Sequence, residues 1–141
     1  MESIEKTVIT VWTIVNAPIG IVWKNWTTPD DIIKWNNASD DWHTPRVVND
    51  LRGGGKFSYR MEAKDGSMGF DLWGIYDKVM INSQIDYTLG DGRKVKVIFG
   101  DLGGKTEVVE TFEAETANPI ELQRNGWQAI LDNFKKYTET H

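Results

Sequence analysis

The chain has no cysteine among its 141 residues. That absence excludes disulfides, zinc–thiolate centres and cysteine nucleophiles. Histidine is nearly as scarce, present only as His43 and His141. A metal site would have to start from Asp41 and His43, two residues apart, and no second ligand pair accompanies them. No metal and no cofactor is therefore expected. No apolar run approaches the length of a membrane span, and the start, MESIEKTVITV, lacks the basic region and apolar core of a secretory signal. A cytoplasmic location follows as the expectation. Basic residues do not cluster: Lys and Arg number 16 against 21 acids, for a net charge of −5. Nucleic acid and membrane insertion are not expected.

What the chain does have is aromatic surface: 7 Trp, 5 Phe and 4 Tyr. The apolar share of 40% and charged share of 26% are ordinary for a globular protein, so the excess lies in side-chain size. One domain over residues 1–141 is expected, with enough chain to bury a real core. Such an inventory fits either a core filled with bulky rings or an aromatic-lined cavity.

Strand patterns occupy most of the chain. Glu5 to Val15 is rich in β-branched residues and reads as a first strand. Pro18 then opens a short helix with Ile19, Val22, Trp23 and Trp26 on one stripe, and Thr28-Pro29-Asp30-Asp31 opens another that carries Ile32, Ile33 and Trp35. Residues 36–45 read as a polar loop, and Arg46 to Leu51 as a second strand. Further strands follow over Lys56–Glu62, Met68–Val79, Ile81–Leu89, Arg93–Phe99 and Lys105–Ala114. Gly74, inside one of them, suggests a bend or bulge. LRGGGK lacks the GxxxxGK[ST] spacing of a phosphate loop and sits between strands, so it reads as a turn. The long helix signal is the last, Asn118 to Tyr137. Asn118 can cap it, Pro119 suits the first position, Glu121 completes a capping box, and Lys135 and Lys136 lie near the end. Hairpins joined to a terminal amphipathic helix predict an α+β fold with an antiparallel sheet, one face covered by that helix.

Two polar residues fall on faces that should be apolar. If Thr106, Val108 and Phe112 point inward, Glu110 does too, unless a bulge turns Val109 in instead. An inward carboxylate must be paired, hydrogen-bonded or shifted in pKa. Gln123 lies one turn before Trp127, where it either meets a ligand's polar end or overhangs the sheet in water; the pattern favours the second. The rings of Trp35, Phe57, Tyr59, Phe70, Tyr87 and Trp127 converge on the space between helix and sheet. As core they need no function; as a cavity lining they leave tyrosine hydroxyls for a ligand or water.

The element order resembles the START/Bet v 1-like helix-grip (SRPBCC) superfamily. More narrowly, it resembles the bacterial branch named for homology to the activator of the heat-shock protein 90 ATPase. The matching residues are Ala17-Pro18 with Val22-Trp23, then Trp35, then Asp50-Leu51-Arg52 with Gly54-Gly55 and Phe57. Gly74 with Tyr76, and Gly126-Trp127 followed by Leu131 and Phe134, complete the set. The resemblance implies a curved antiparallel sheet wrapped around the long C-terminal helix. It also implies a small hydrophobic or amphipathic guest, lipid-like or polyketide-like, in the cavity between them. Trp35, Phe57, Tyr59, Phe70, Tyr87, Glu110, Gln123 and Trp127 are the candidate cavity residues. No catalytic motif is visible. Proton transfer on a bound cyclic or carbonyl substrate through Glu110 is the alternative. A chaperone-ATPase-modulating surface around Trp73 and Ile75 is a third reading.

Overall fold

The structure, a computed structural model, describes residues 7–140. Glu5 and Lys6, expected to open the first strand, and His141 lie outside the described residues. The elements are β1 (Val8–Val15), α1 (Ile19–Thr27), α2 (Pro29–Trp35), β2 (Trp42–Asn49), β3 (Lys56–Ala63), β4 (Gly69–Met80), β5 (Gln84–Leu89), β6 (Lys94–Asp101), β7 (Thr106–Glu113) and α3 (Ile120–Thr140). Strict alternation makes β1 and β7 half-buried strands, with Ile9, Val11, Thr13 and Val15 inward on one and Thr106, Val108, Glu110 and Phe112 on the other. The strands form one antiparallel sheet in the order β1-β7-β6-β5-β4-β3-β2. It curls into a half-barrel around α3, with α1 and α2 closing one end. The expected helix-grip architecture is what the chain adopts.

Several boundaries differ from the sequence expectation. The second strand starts at Trp42, not Arg46, because Trp42 and His43 pair with Ala63 and Glu62 of β3. Pro45 survives there because the register shifts between His43 and Arg46, at a sheet edge. The strand expected from Ile81 begins at Gln84. Asn82 instead turns the chain at φ 60°, a conformation asparagine tolerates. The irregularity of β4 lies between Tyr76 and Lys78, not at Gly74. A Cβ on Gly74 would sit 2.6 Å from the Thr88 carbonyl oxygen and 2.9 Å from the Phe57 ring, so glycine there permits close approach.

The last helix runs on to Thr140, which puts Lys135 inside it. Lys135 donates to the Ile14 carbonyl at 2.8 Å and pairs with Glu139, and Gln128 donates to the Trp12 carbonyl at 3.2 Å. These side chains cover the free edge of β1, an unprotected row of acceptors otherwise. The expected capping box is also rearranged. The Asn118 N–H donates to Glu115 at 2.7 Å, while Glu121 pairs with Arg124.

Candidate ligand-binding site

The cavity follows from where the last helix leans. α3 makes its closest backbone approaches to β1, α1 and α2, and no comparable one to β3, β4 or β5. Large rings explain the tilt. Trp26 lies 5.1 Å from Trp35 and 4.8 Å from Phe134, and Trp35 lies 4.9 Å from Phe134, a solid wedge between the short helices and α3. Across the gap, Phe57 stands against Tyr59, Tyr76 and Tyr87 at 5.2, 5.2 and 4.9 Å. Between wedge and sheet remains a cavity of about 320 Å³.

All eight residues singled out from the sequence border this space, but not equally. Trp35 and Phe57 are buried walls. Trp35 has its indole N–H committed to the Asn25 carbonyl at 3.0 Å. Tyr59 and Tyr87 are half-buried because their rings face the opening rather than packed atoms. Trp127 lies flat on Phe112, ring centres 3.9 Å apart and planes 12° from parallel, so it meets the sheet as well as the cavity. Phe70 is not interior. It is exposed at the mouth, 6.0 Å from the Trp42 ring. Sequence reasoning missed Trp26, Tyr76 and Arg93 as wall residues. Tyr76 could have been found, since it shares a strand face with Leu72; Arg93, expected to open the strand that begins at Lys94, stands in phase with the inward Val95 and Val97 and could have been found in the same way.

Gln123 corrects the expectation of a wet, overhanging amide. It is buried, and both amide atoms bind backbone. Its Oε1 accepts from the Glu115 N–H at 2.9 Å, and its Nε2 donates to the carbonyls of Glu115 at 3.0 Å and Asn118 at 2.8 Å. Those bonds tie α3 to the segment leaving β7, and they leave the amide little to offer a guest.

Glu110 does point inward. It opposes Val11 on β1 and Val97 on β6, both fully buried, and it is 5% exposed. No hydrogen-bond or ion-pair partner for it exists among the described residues, burial alone acts on its pKa, and it lines the cavity. Burial raises its pKa from 4.5 to about 8, because a lone charge is costly in an apolar enclosure. Tyr87 is likewise without a hydrogen-bond partner there. Burial first, and the nearby Glu110 second, hold its hydroxyl well above the usual phenol range. Some other polar wall groups are engaged. The Tyr59 hydroxyl lies near Tyr76, and burial first holds it well above the usual phenol range. Tyr76 in turn donates to Asn49 at 2.6 Å, and Asn36 to Thr44 at 3.2 Å.

The comparisons with known proteins agree with this architecture. The family model described as "Activator of Hsp90 ATPase homolog 1-like protein" matches residues 16–139. The chain belongs to that family. An AHSA1-like protein of Aeromonas hydrophila, solved by solution NMR, is 44% identical over 95% of this chain and 93% of its own, with a TM-score of 0.89. A Cytophaga hutchinsonii protein is 54% identical over 94% of this chain and 92% of its own, with a TM-score of 0.82. A Chromobacterium violaceum protein, 20% identical over 94% of this chain and 98% of its own, shares the fold at a TM-score of 0.84. Among curated proteins, none matches the chain. The AHSA1-like fold commonly binds hydrophobic ligands.

Other features offer less. His43 faces Glu62 at 3.8 Å rather than Asp41, and no cluster of three metal-ligating side chains occurs among the described residues. The triple glycine is a turn packed on β4, with the Gly54 N–H donating to the Tyr76 carbonyl at 2.7 Å. Trp73 is partly exposed, but the Lys56 ammonium sits 4.8 Å over its ring and Gly90 presses against it. A wider trough of about 540 Å³ on the outer sheet face passes Asp77, Asp86, Lys94 and Lys96. It is open to solvent and mixes both charge signs, so it shields no apolar guest. No described helix is long and apolar enough to cross a membrane.

Proposed function

We propose that this protein binds a small hydrophobic or amphipathic molecule between sheet and α3, with Trp35, Phe57, Tyr59, Tyr87 and Trp127 as its walls and Phe70 at its mouth. The observation that carries the reading is the cavity itself: about 320 Å³ of space bounded mainly by rings, in a protein that had enough aromatic mass to fill it. Close packing is the norm for interiors, so a gap of this size within a sound core calls for an occupant. Binding draws on burial of ligand apolar surface, at about 25 cal/mol per Å². N-phenyl-1-naphthylamine, an uncharged dye that brightens in apolar surroundings, tests the reading. Its fluorescence is expected to rise on mixing, and Ile130→Trp, which fills the cavity from α3, is expected to abolish the rise while the protein stays folded. Dye binding that is absent, or indifferent to that substitution, would count against the cavity as a binding site.

A second reading has one observation in its favour. Glu110 meets the cavity without a partner, which suits a base for proton transfer on a bound carbonyl compound. In its ionised form it removes a proton from the carbon beside the carbonyl; the resulting enolate takes a proton back from solvent, and Glu110 returns its own proton to solvent. Exchange of that hydrogen for deuterium, followed by NMR, should be accelerated by the protein and lost in Glu110→Gln. An interaction surface around Trp73 and Ile75 gains no similar support, given the Lys56 and Gly90 contacts.

A further inference from the structure

The polar inventory of the cavity is one-sided. Several acceptors at its wall are taken: the Glu115 and Asn118 carbonyls accept from the Gln123 amide, and the Asn49 side-chain oxygen, behind Tyr76, accepts from the Tyr76 hydroxyl. Among the wall groups with no hydrogen bond are two acids, Glu110 and Tyr87, which share the enclosure closely enough for one to influence the other. Among the described residues, no lysine or histidine borders the space. Arg93 does, but its Nε is held by Asp91 at 2.7 Å, in the turn between β5 and β6. Two neighbouring acids in an apolar pocket, whose bordering cation Arg93 is paired with Asp91, are held in their protonated forms. Each then presents an O–H with no acceptor to meet it.

We infer that the guest is an uncharged ring compound whose polar end is a hydrogen-bond acceptor, a ketone or quinone carbonyl, seated on Glu110 and Tyr87. The inference rests on the cavity reading and sharpens it to a ligand class. The ring follows from the walls: Phe57, Trp127 and Tyr59 offer faces and edges suited to a flat guest. The carbonyl follows from the two unmet donors, since a good acceptor satisfies both with no charge to desolvate. A carboxylate fits poorly at that end, because its charge would meet two acids, and the bordering cation, Arg93, is already paired with Asp91. A protonated amine would need Glu110 ionised, and would find none of the inner acceptors named above free to take its other protons.

The groups facing Glu110 set how pH enters. β1 and β6 present Val11 and Val97 beside it. The cavity adds Tyr87 from β5, Tyr59 from β3, Tyr76 from β4 and Arg93 from the turn after β5. α3 presents Gln123, Trp127 and Ile130, and Glu115 at the mouth receives the Asn118 N–H. Burial pushes the hydroxyls of Tyr59, Tyr76 and Tyr87 upward, above the range in which Glu110 titrates, so Glu110 governs the dependence there.

Three matched compounds test the inference: 2-acetylnaphthalene, 2-naphthoate and 2-naphthylmethylammonium, which differ only in the polar end. At about pH 6.5, below the Glu110 titration, titration calorimetry should show the ketone binding about tenfold or more tighter than either ion. Glu110→Leu keeps the bulk but removes the donor, and should cost the ketone about tenfold; Tyr87→Phe should cost it a few-fold. Glu110→Gln retains a donor and should stay within about twofold of the parent. Raising the pH to about 9.5 should weaken the ketone for the parent protein and leave Glu110→Gln unchanged. Equal or tighter binding of the carboxylate or the ammonium overturns the inference, as does a ketone affinity untouched by both Glu110→Leu and Tyr87→Phe. If N-phenyl-1-naphthylamine binds and none of the three does, the ligand class is wrong and the cavity reading stands. If none of the four binds, the cavity reading itself falls.

Discussion

Gln123 grips both backbone polar atoms of Glu115, accepting from its N–H at 2.9 Å and donating to its carbonyl at 3.0 Å. A side-chain amide matched to a peptide unit in this way acts like a short piece of strand pairing. It fixes the angle at which α3 leaves the sheet, and that angle determines how far the helix stands from β3–β5. Gln123→Ala should destabilise the protein by about 1–2 kcal/mol, because it breaks three bonds to part-buried backbone groups. Hydrogen exchange should speed up at the start of α3 and at Glu115, with little change in β6. Unchanged exchange there would show that the clamp is dispensable.

Glu110 gives stability a pH dependence of defined sign. Its folded pKa is raised from 4.5 to about 8. The folded state therefore keeps a proton that the unfolded state has lost. This group's contribution is greatest below about pH 4.5, declines as pH rises, and is exhausted above about pH 8. Glu110→Gln should flatten that slope and, at about pH 9, stabilise the protein by on the order of a few kcal/mol. Urea titrations across the range check it. A mutant curve parallel to the parent's would mean that the carboxyl is not held neutral.

Gly74 is needed for space rather than for an unusual backbone angle. Gly74→Ala puts a methyl against the Thr88 carbonyl and the Phe57 ring, atoms that cannot retreat without moving β5 or the cavity wall. A loss of about 1–3 kcal/mol is expected. Ring-current shifts of Phe57 and Tyr87 protons should change with it, and a silent spectrum would refute the clash.

Trp127 joins stability to binding. Removing it with Trp127→Ala deletes the stack on Phe112 and enlarges the cavity, for an expected cost of about 2–4 kcal/mol. Trp127→Phe should restore most of the stability while weakening N-phenyl-1-naphthylamine severalfold, since a smaller ring covers less of the guest. If both substitutions bind the dye like the parent, Trp127 belongs to the core alone.

The sequence by itself determined the order of elements, the antiparallel pairing and the inward face of each strand. Those properties depend on local alternation and turn residues; from the spacing of Thr106, Val108 and Phe112, Glu110 was legible as a candidate inward carboxylate beside the alternative Val109, and the strand's burial pattern decided it. It also supplied the set of rings that face the helix. Tertiary structure decided what those rings enclose. Volume cannot be read from periodicity, because it depends on how far α3 stands off, and that distance is set by contacts between residues about a hundred positions apart, such as Trp35 with Phe134. The same limit explains Gln123, whose partners lie in a loop with no periodic pattern, and Phe70, whose strand overruns the helix and carries it to the mouth. Whether Glu110 has a partner was likewise undecidable from spacing. The answer came from three strands and a helix that meet around it and offer it nothing but a cavity.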